Sequence, residues 1–144
     1  MTELAATEGL AYDFDSVRHT KTLTAHELLH LAKAKGMQLD VVERLFSAYF
    51  EQGRHLGDID TLVEIGAEAG LETSEVRTAL SEGTYRDAVQ RDIEQARAYG
   101  ISGVPFYVLD SKYGVSGAQP PQVFAETLNK IAEEKSSGEA EVVR

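Results

Sequence analysis

GISGVPFYVLDSKYGVSGAQPP, residues 100–121, predicts a β-hairpin followed by a helix. The run VPFYVLD is short, apolar and rich in β-forming residues, and it follows glycine and proline, which is typical of a buried strand. Asp110, Ser111 and Lys112 predict the turn, and YGVSG predicts the returning strand.

Both faces of the first strand of this hairpin are apolar. Phe106 and Val108 point to one side, and Tyr107 and Leu109 point to the other. A strand that is apolar on both faces is expected to be covered on both, and a two-stranded ribbon alone is marginally stable in water. The hairpin therefore needs either helices over both faces or strands from elsewhere.

Residues 21–100 predict five helices. Thr24 and Glu27 form a capping-box pattern at the start of the first one. Asp58 predicts the N-cap of the third, and Gly83 predicts the end of the fourth. The second, VVERLFSAYFEQ, carries a wide apolar stripe.

The predicted fold class is mostly α with a small β-hairpin. Pro120 and Pro121 fit the first turn of the last helix. Its predicted inward residues are Val123, Phe124, Leu128 and Ile131. The elements divide the chain into an irregular segment (1–20), a helical domain (21–100), the hairpin with its helix (101–135) and a flexible tail (136–144).

The composition excludes several functions. The formal charge of −10 argues against binding to nucleic acids or anionic membranes. The 144 residues contain no cysteine, so thiolate metal sites and cysteine nucleophiles are excluded for this chain. The chain start resembles neither a signal nor a transit peptide, and no apolar run is long enough for a membrane helix. We expect a cytoplasmic protein with no cofactor.

His26, Glu27 and His30 match the H-E-x-x-H pattern of zinc hydrolases. Two histidines four residues apart share a helix face, and the glutamate can act as a base on metal-bound water. However, the apolar residues of this helix centre on the opposite side, which favours a solvated pair on the outer face. Glu43 and Glu51 follow as third-ligand candidates, although neither belongs to a second motif.

The Val104-Pro105 step admits two interpretations. A proline at the start of a strand with an ordinary trans bond is structurally permitted. A cis bond would turn the chain sharply and present the backbone of Val104 to an extended peptide as an added strand. The residues alone do not choose between them.

The stretch GISGVPFYVLDSKYGVSGAQPPQVF resembles the C-terminal segment of the DsbA family, in particular its FrnE-like branch. YDFDSVRHTKTLTAHELLHLA and LFSAYFEQGRHLGDIDTLVEIGAEAGL resemble the helical insertion of the same branch. The resemblance implies a thioredoxin fold with a helical insertion (21–100), of which 101–135 form the C-terminal β-β-α portion.

The resemblance also implies thiol–disulfide exchange by a C-x-x-C motif at a helix N-terminus. Pro105 matches the cis-proline of the family, and Val104 matches the substrate-facing residue before it. Gly103 and Phe106 match the flanking positions. The C-x-x-C position, which lies upstream of the insertion in the family, has no match in this sequence. We therefore expect an incomplete thioredoxin-like fold that is redox-inactive alone and retains a peptide-facing hairpin.

Three alternatives stay open. The chain is a peptide- or partner-binding module whose open sheet edge pairs with a second copy or a complementing chain. It is a remnant of a glutathione-dependent 2-hydroxychromene-2-carboxylate isomerase-like protein, a class whose catalytic serine also lies upstream. The remote alternative is the H-E-x-x-H zinc hydrolase.

Overall fold

The computed structural model describes residues 2–141 and is mostly helical, with a two-stranded antiparallel hairpin. This confirms the fold class predicted from the sequence. In chain order the elements are α1 (Thr2–Thr7), α2 (Leu23–Ala34), α3 (Gln38–Phe50), α4 (Ile59–Glu68), α5 (Thr73–Glu82), α6 (Arg86–Ala98), β1 (Phe106–Leu109), β2 (Tyr113–Ser116) and α7 (Pro121–Glu141).

The chain divides into two compact units, one up to Glu94 and the other from Gln95 onward. Helices α1–α5 and most of α6 belong to the first unit, and the hairpin with α7 belongs to the second. The functional boundaries at residues 20, 100 and 135 stay a prediction. Within residues 2–141, no helix combines the length and the apolar character that crossing a bilayer requires.

The core of the first unit forms around α2, which packs against α3, α4 and α5. Its largest fully buried side chains come from all four helices: Leu28, Val41, Leu62, Ile65 and Val76. Each such burial contributes roughly 1.5–3 kcal/mol relative to an exposed side chain. The four helices therefore stabilise one another through a shared apolar centre.

Two helix ends follow the predictions. The Asp58 carboxylate accepts hydrogen bonds from the amide and the hydroxyl of Thr61, both at 2.9 Å, and caps α4. Gly83 ends α5 with φ at 67°, in the left-handed region that glycine adopts without steric cost. These local signals set the boundaries of α4 and α5.

The start of α2 differs from the prediction. The helix begins at Leu23 with Thr22 as its N-cap, so Thr24 lies inside the first turn. The Thr22 side chain makes no capping hydrogen bond, and Glu27 is buried instead of reaching back to the helix start. The capping-box prediction was therefore wrong, because tertiary burial decides the position of Glu27.

The segment before α2 is anchored by aromatic contacts. Tyr12 stacks on Phe50 of α3 with ring centroids 4.9 Å apart, and Phe14 meets Phe50 edge-on at 6.1 Å. The Asp13 amide also donates to the Phe50 carbonyl at 2.7 Å. Residues 2–7 form the short helix α1, whereas the sequence predicted an irregular segment there.

Helix α7 begins at Pro121, as predicted. Ile131 is buried and Val123 and Phe124 are half-buried, but Leu128 is exposed, so its inward prediction was wrong. The helix continues through Glu141, into the predicted tail 136–144, and residues 142–144 lie outside the described range.

The cap of α4 generates a pH prediction. Hydrogen bonds from the Thr61 amide and then from its hydroxyl lower the pKa of Asp58. A lowered folded-state pKa contributes stability above the unfolded-state value and loses it as the pH falls through the folded-state pKa. We expect Asp58→Ala to lower the Tm at pH 7, and the difference from wild type to shrink below about pH 4. Thermal unfolding monitored by circular dichroism measures both.

Two variants control this experiment. Asp58→Asn keeps a capping oxygen without titrating, so its Tm should match wild type at pH 7. Asp60→Ala removes the exposed ion pair with Arg77, which should matter less than the cap. A pH-independent effect of Asp58→Ala would contradict the assignment.

Candidate functional site

The register of the hairpin determines which backbone groups are free. Phe106 pairs with Ser116 and Leu109 with Tyr113, and the Gly117 amide donates to the Pro105 carbonyl at 2.8 Å. Backbone groups of successive strand residues alternate in direction. Tyr107 and Leu109 therefore direct their N–H and C=O groups toward β2.

The opposite, outer edge of β1 is open within the described residues. Phe106 and Val108 direct their backbone groups away from β2 because of the same alternation. Val104 precedes the strand in a bend and is 92% exposed, and its amide and carbonyl form no backbone hydrogen bond within residues 2–141. Phe106 and Val108 thus present unused donors and acceptors on the outer edge of β1, and the exposed backbone of Val104 precedes them in the chain.

The outer edge of β2 is different. The side-chain amide of Gln119 donates to the Ser116 carbonyl at 2.8 Å and occupies part of that edge. A strand can therefore be added more readily to β1 than to β2. The sequence analysis had already named Val104 as a binding candidate. Nothing in the sequence indicated that the Gln119 side chain covers part of the edge of β2.

The four predicted binding residues lie together at the entry to β1. Gly103, Val104 and Pro105 are exposed, and Phe106 is half-buried at the first position of the strand. The Val104-Pro105 peptide bond is cis. Their role in binding stays a prediction.

Phe106 occupies space that Gly114 leaves free. A Cβ atom at Gly114 would lie 2.8 Å from Cζ of the Phe106 ring, so the ring packs across the neighbouring strand. The sequence analysis missed Gly114, although a glycine inside a strand often marks such a close approach.

The other face of the hairpin packs against α7. Tyr107 and Phe124 meet edge-on with ring centroids 4.9 Å apart, and Glu134 accepts hydrogen bonds from Lys112 at 2.7 Å and from the Tyr113 hydroxyl. Lys112 first, and Tyr113 second, lower the pKa of Glu134. These contacts hold the hairpin on the helix and leave the outer edge of β1 unaffected.

The H-E-x-x-H residues do not share one surface. His26 is exposed, whereas Glu27 is only 4% exposed and its Oε2 has no hydrogen-bond partner. Nε2 of His30 lies 2.8 Å from Oδ2 of Asp92, and its ring stacks on Tyr85. The expected solvated pair is therefore correct for His26 and wrong for His30. Within residues 2–141, no cluster of three metal-ligating side chains includes these residues.

Comparisons with known proteins agree with this architecture. Residues 1–129 match the DSBA-like thioredoxin domain family. A probable DsbA oxidoreductase from Streptomyces coelicolor is 41% identical, and its crystal structure superposes with a TM-score of 0.82 over 92% of this chain and 57% of that one. The uncharacterised protein YwbO of Bacillus subtilis is 28% identical over 129 residues, 88% of this chain and 64% of its own.

The chain is therefore a member of the DsbA-like thioredoxin domain family. It spans less than two thirds of the length of either relative. The predicted resemblance to the DsbA family is confirmed. The FrnE-like branch stays a proposal.

The contact between Gly114 and Phe106 predicts a local packing effect. We expect Gly114→Ala to displace the ring and destabilise the chain by roughly 1 kcal/mol, in the range of overpacking costs. Gly103→Ala is the matched control, because a Cβ atom at Gly103 meets nothing within 4 Å. Chemical denaturation measures both, and equal effects would contradict the packing assignment.

The buried carboxyl group of Glu27 predicts a stabilising substitution. Because its Oε2 is shielded from water without a partner, Glu27→Met should raise the unfolding free energy by about 1–3 kcal/mol. The control Glu43→Met replaces an exposed glutamate of α3 and should change stability by less than about 0.5 kcal/mol. Urea unfolding tests this, and a lower stability of Glu27→Met would reveal a favourable role for the carboxylate.

Proposed function

We propose that this chain carries the substrate-binding part of a DsbA-type thiol–disulfide oxidoreductase. An extended segment of a protein substrate pairs with the outer edge of β1 at Val104, Phe106 and Val108. Family membership supports this proposal. The observation that carries it is the exposed, unpaired backbone of Val104 just before a strand whose Phe106 and Val108 direct their backbone groups away from β2.

Backbone pairing suits a protein that handles many substrates. A peptide bound as an added strand is held by main-chain hydrogen bonds, which do not depend on its sequence. Each bond contributes a net 0.5–1.5 kcal/mol, roughly. An edge of three residues therefore provides weak, reversible binding, as release of a product requires.

Thiol–disulfide exchange requires a thiolate, which the residues of this chain do not supply. Thiol–disulfide exchange proceeds by attack of a thiolate on a disulfide sulfur, and the 144 residues contain no cysteine. We infer that this polypeptide alone is redox-inactive and that its part in the reaction is to hold the substrate. A FrnE-like, cytoplasmic oxidoreductase is the corresponding role for the whole protein.

A second occupant of the same edge is another chain. The apolar faces of β1 and the partly exposed Tyr107 favour a complementing strand as well as a substrate peptide. A second copy of this chain would then pair through β1. The isomerase-like alternative depends on an upstream serine, and it stays a prediction.

Amide hydrogen exchange tests the proposal. NMR would follow the chain with and without an extended peptide in which serine replaces cysteine. We expect exchange at Phe106 and Val108 to slow by about tenfold at saturation, because new hydrogen bonds form there. Tyr107 and Leu109 are internal controls, since their amides already face β2. Unchanged exchange at all four residues would contradict the proposal.

Side-chain variants separate backbone pairing from other contacts. Val104→Thr keeps the backbone and the β-branched shape, so affinity should change by less than about twofold. Val104→Pro removes the donor and should weaken binding by about tenfold. If protection at Phe106 instead rises with protein concentration and without peptide, the second-copy alternative is correct.

A further inference from the structure

The hairpin has a second outer edge, which is as long as the proposed peptide edge. Ser116 pairs with Phe106, and Gly114 pairs with Val108. The alternation that turns the two β1 residues away from β2 also turns their two partners away from β1. A peptide that binds through main-chain hydrogen bonds would therefore find the same backbone groups on both edges, unless the chain itself occupies one of them.

The carbonyl group of Ser116 on the outer edge of β2 is occupied. The side-chain amide of Gln119 donates to it at 2.8 Å. This amide folds back over Gly117, since a Cβ atom there would lie 3.5 Å from Nε2 of Gln119. A strand added to β2 would have to break this hydrogen bond and displace the side chain.

The chain that follows β2 keeps Gln119 in this position and offers little to a partner strand. The backbone amide of Gln119 donates to the Gly117 carbonyl at 3.0 Å. A residue before proline is restricted to extended conformations, so Pro120 limits the backbone of Gln119 further. Pro120 and Pro121 have no N–H groups, and the Pro120 carbonyl accepts from the Val123 amide at 3.0 Å.

The outer edge of β1 has no equivalent contact. Within residues 2–141, no side chain forms a hydrogen bond with the backbone of Phe106 or Val108, and no loop residue pairs with them. The two edges are thus equal in length and in the direction of their backbone groups. The difference between them comes from the side chain of Gln119.

We propose that Gln119 is a specificity-determining residue that restricts the hairpin to one extended peptide, bound at β1. This inference rests on the proposed function, because it takes the partner to be an extended protein segment. β1 begins at the candidate binding residues Gly103–Phe106, whereas a peptide on β2 would lie on the far side of the hairpin. Exclusion from β2 therefore directs each substrate to the edge beside those residues.

A peptide titration of the 144-residue chain tests the role of Gln119. The probe is the extended peptide in which serine replaces cysteine, followed by NMR hydrogen exchange and by calorimetry. In the wild type we expect slower exchange at Phe106 and Val108 only. In Gln119→Ala the amides of Gly114 and Ser116 should also slow by about tenfold at saturation, and the stoichiometry should rise from about one to about two peptides per chain.

Two further variants separate the hydrogen bond from other effects. Gln122→Ala removes the same side chain from an exposed position of α7, so it should keep the wild-type stoichiometry. Gln119→Met keeps the length of the side chain without its donor, so it should bind a second peptide as Gln119→Ala does. Circular dichroism melts check that each variant is folded. A second peptide on Gln122→Ala, or none on Gln119→Met, would overturn the inference.

The same titration distinguishes a failure of this inference from a failure of the proposed function. If wild type binds at Phe106 and Val108 and Gln119→Ala gains no second site, Gln119 does not select the edge, and the proposed function stands. Two peptides on the wild type would also overturn the role of Gln119. If Gln119→Ala gains protection at Gly114 and Ser116 while β1 stays unprotected in both proteins, the role of Gln119 is supported and the proposed function is wrong.

Discussion

The hydrogen bond from the Gly117 amide to the Pro105 carbonyl fixes the direction of every backbone group in the hairpin. Pro105 has no N–H that could donate to Gly117 in return, so this single hydrogen bond holds Pro105 against Gly117. Alternation then directs the backbone groups of Tyr107 and Leu109 toward β2 and those of Phe106 and Val108 away from it. The candidate binding edge is a direct consequence of that register, since a shift by one residue would exchange the two sets.

The two units of the chain are stabilised by different means. The first unit buries a shared apolar centre around Leu28, and its helices begin or end at local signals such as Asp58 and Gly83. The second unit is small, and its hairpin is held on α7 by an aromatic contact and by polar groups gathered on Glu134. Exposed ion pairs of this kind are individually weak, so the fit of Tyr107 on Phe124 matters more to that unit.

Much of the fold could be predicted from the sequence because its signals are local. The cap at Asp58, the glycine at the end of α5 and the apolar, β-forming run FYVL each depend on a few neighbouring residues. The environments of Glu27 and His30 could not be predicted in this way, because their neighbours come from distant parts of the chain. Asp92, which pairs with His30, lies 62 residues away. A helical projection of α2 alone has no information about such partners.

The candidate site was predictable at Gly103–Phe106 only through the family resemblance. The composition of VPFYVLD gives a strand, but it does not say which edge of that strand is free. Gly114 and Gln119 act through contacts with the neighbouring strand or turn, and these contacts appear only once the register is known. An apolar groove between α2 and α3 could not be predicted from the sequence either, because it is lined by residues of both helices. Each helix taken alone has the pattern of an ordinary amphipathic helix.

The open edge of β1 also has a consequence for the colloidal behaviour of the chain. An unpaired edge is a template on which further copies can assemble as a growing sheet. The formal charge of −10 opposes this, because two copies must approach against mutual repulsion before their edges meet. That barrier weakens as added salt shortens the range of electrostatic repulsion. The acidic surface thus slows the association of copies of this chain through the open edge of β1.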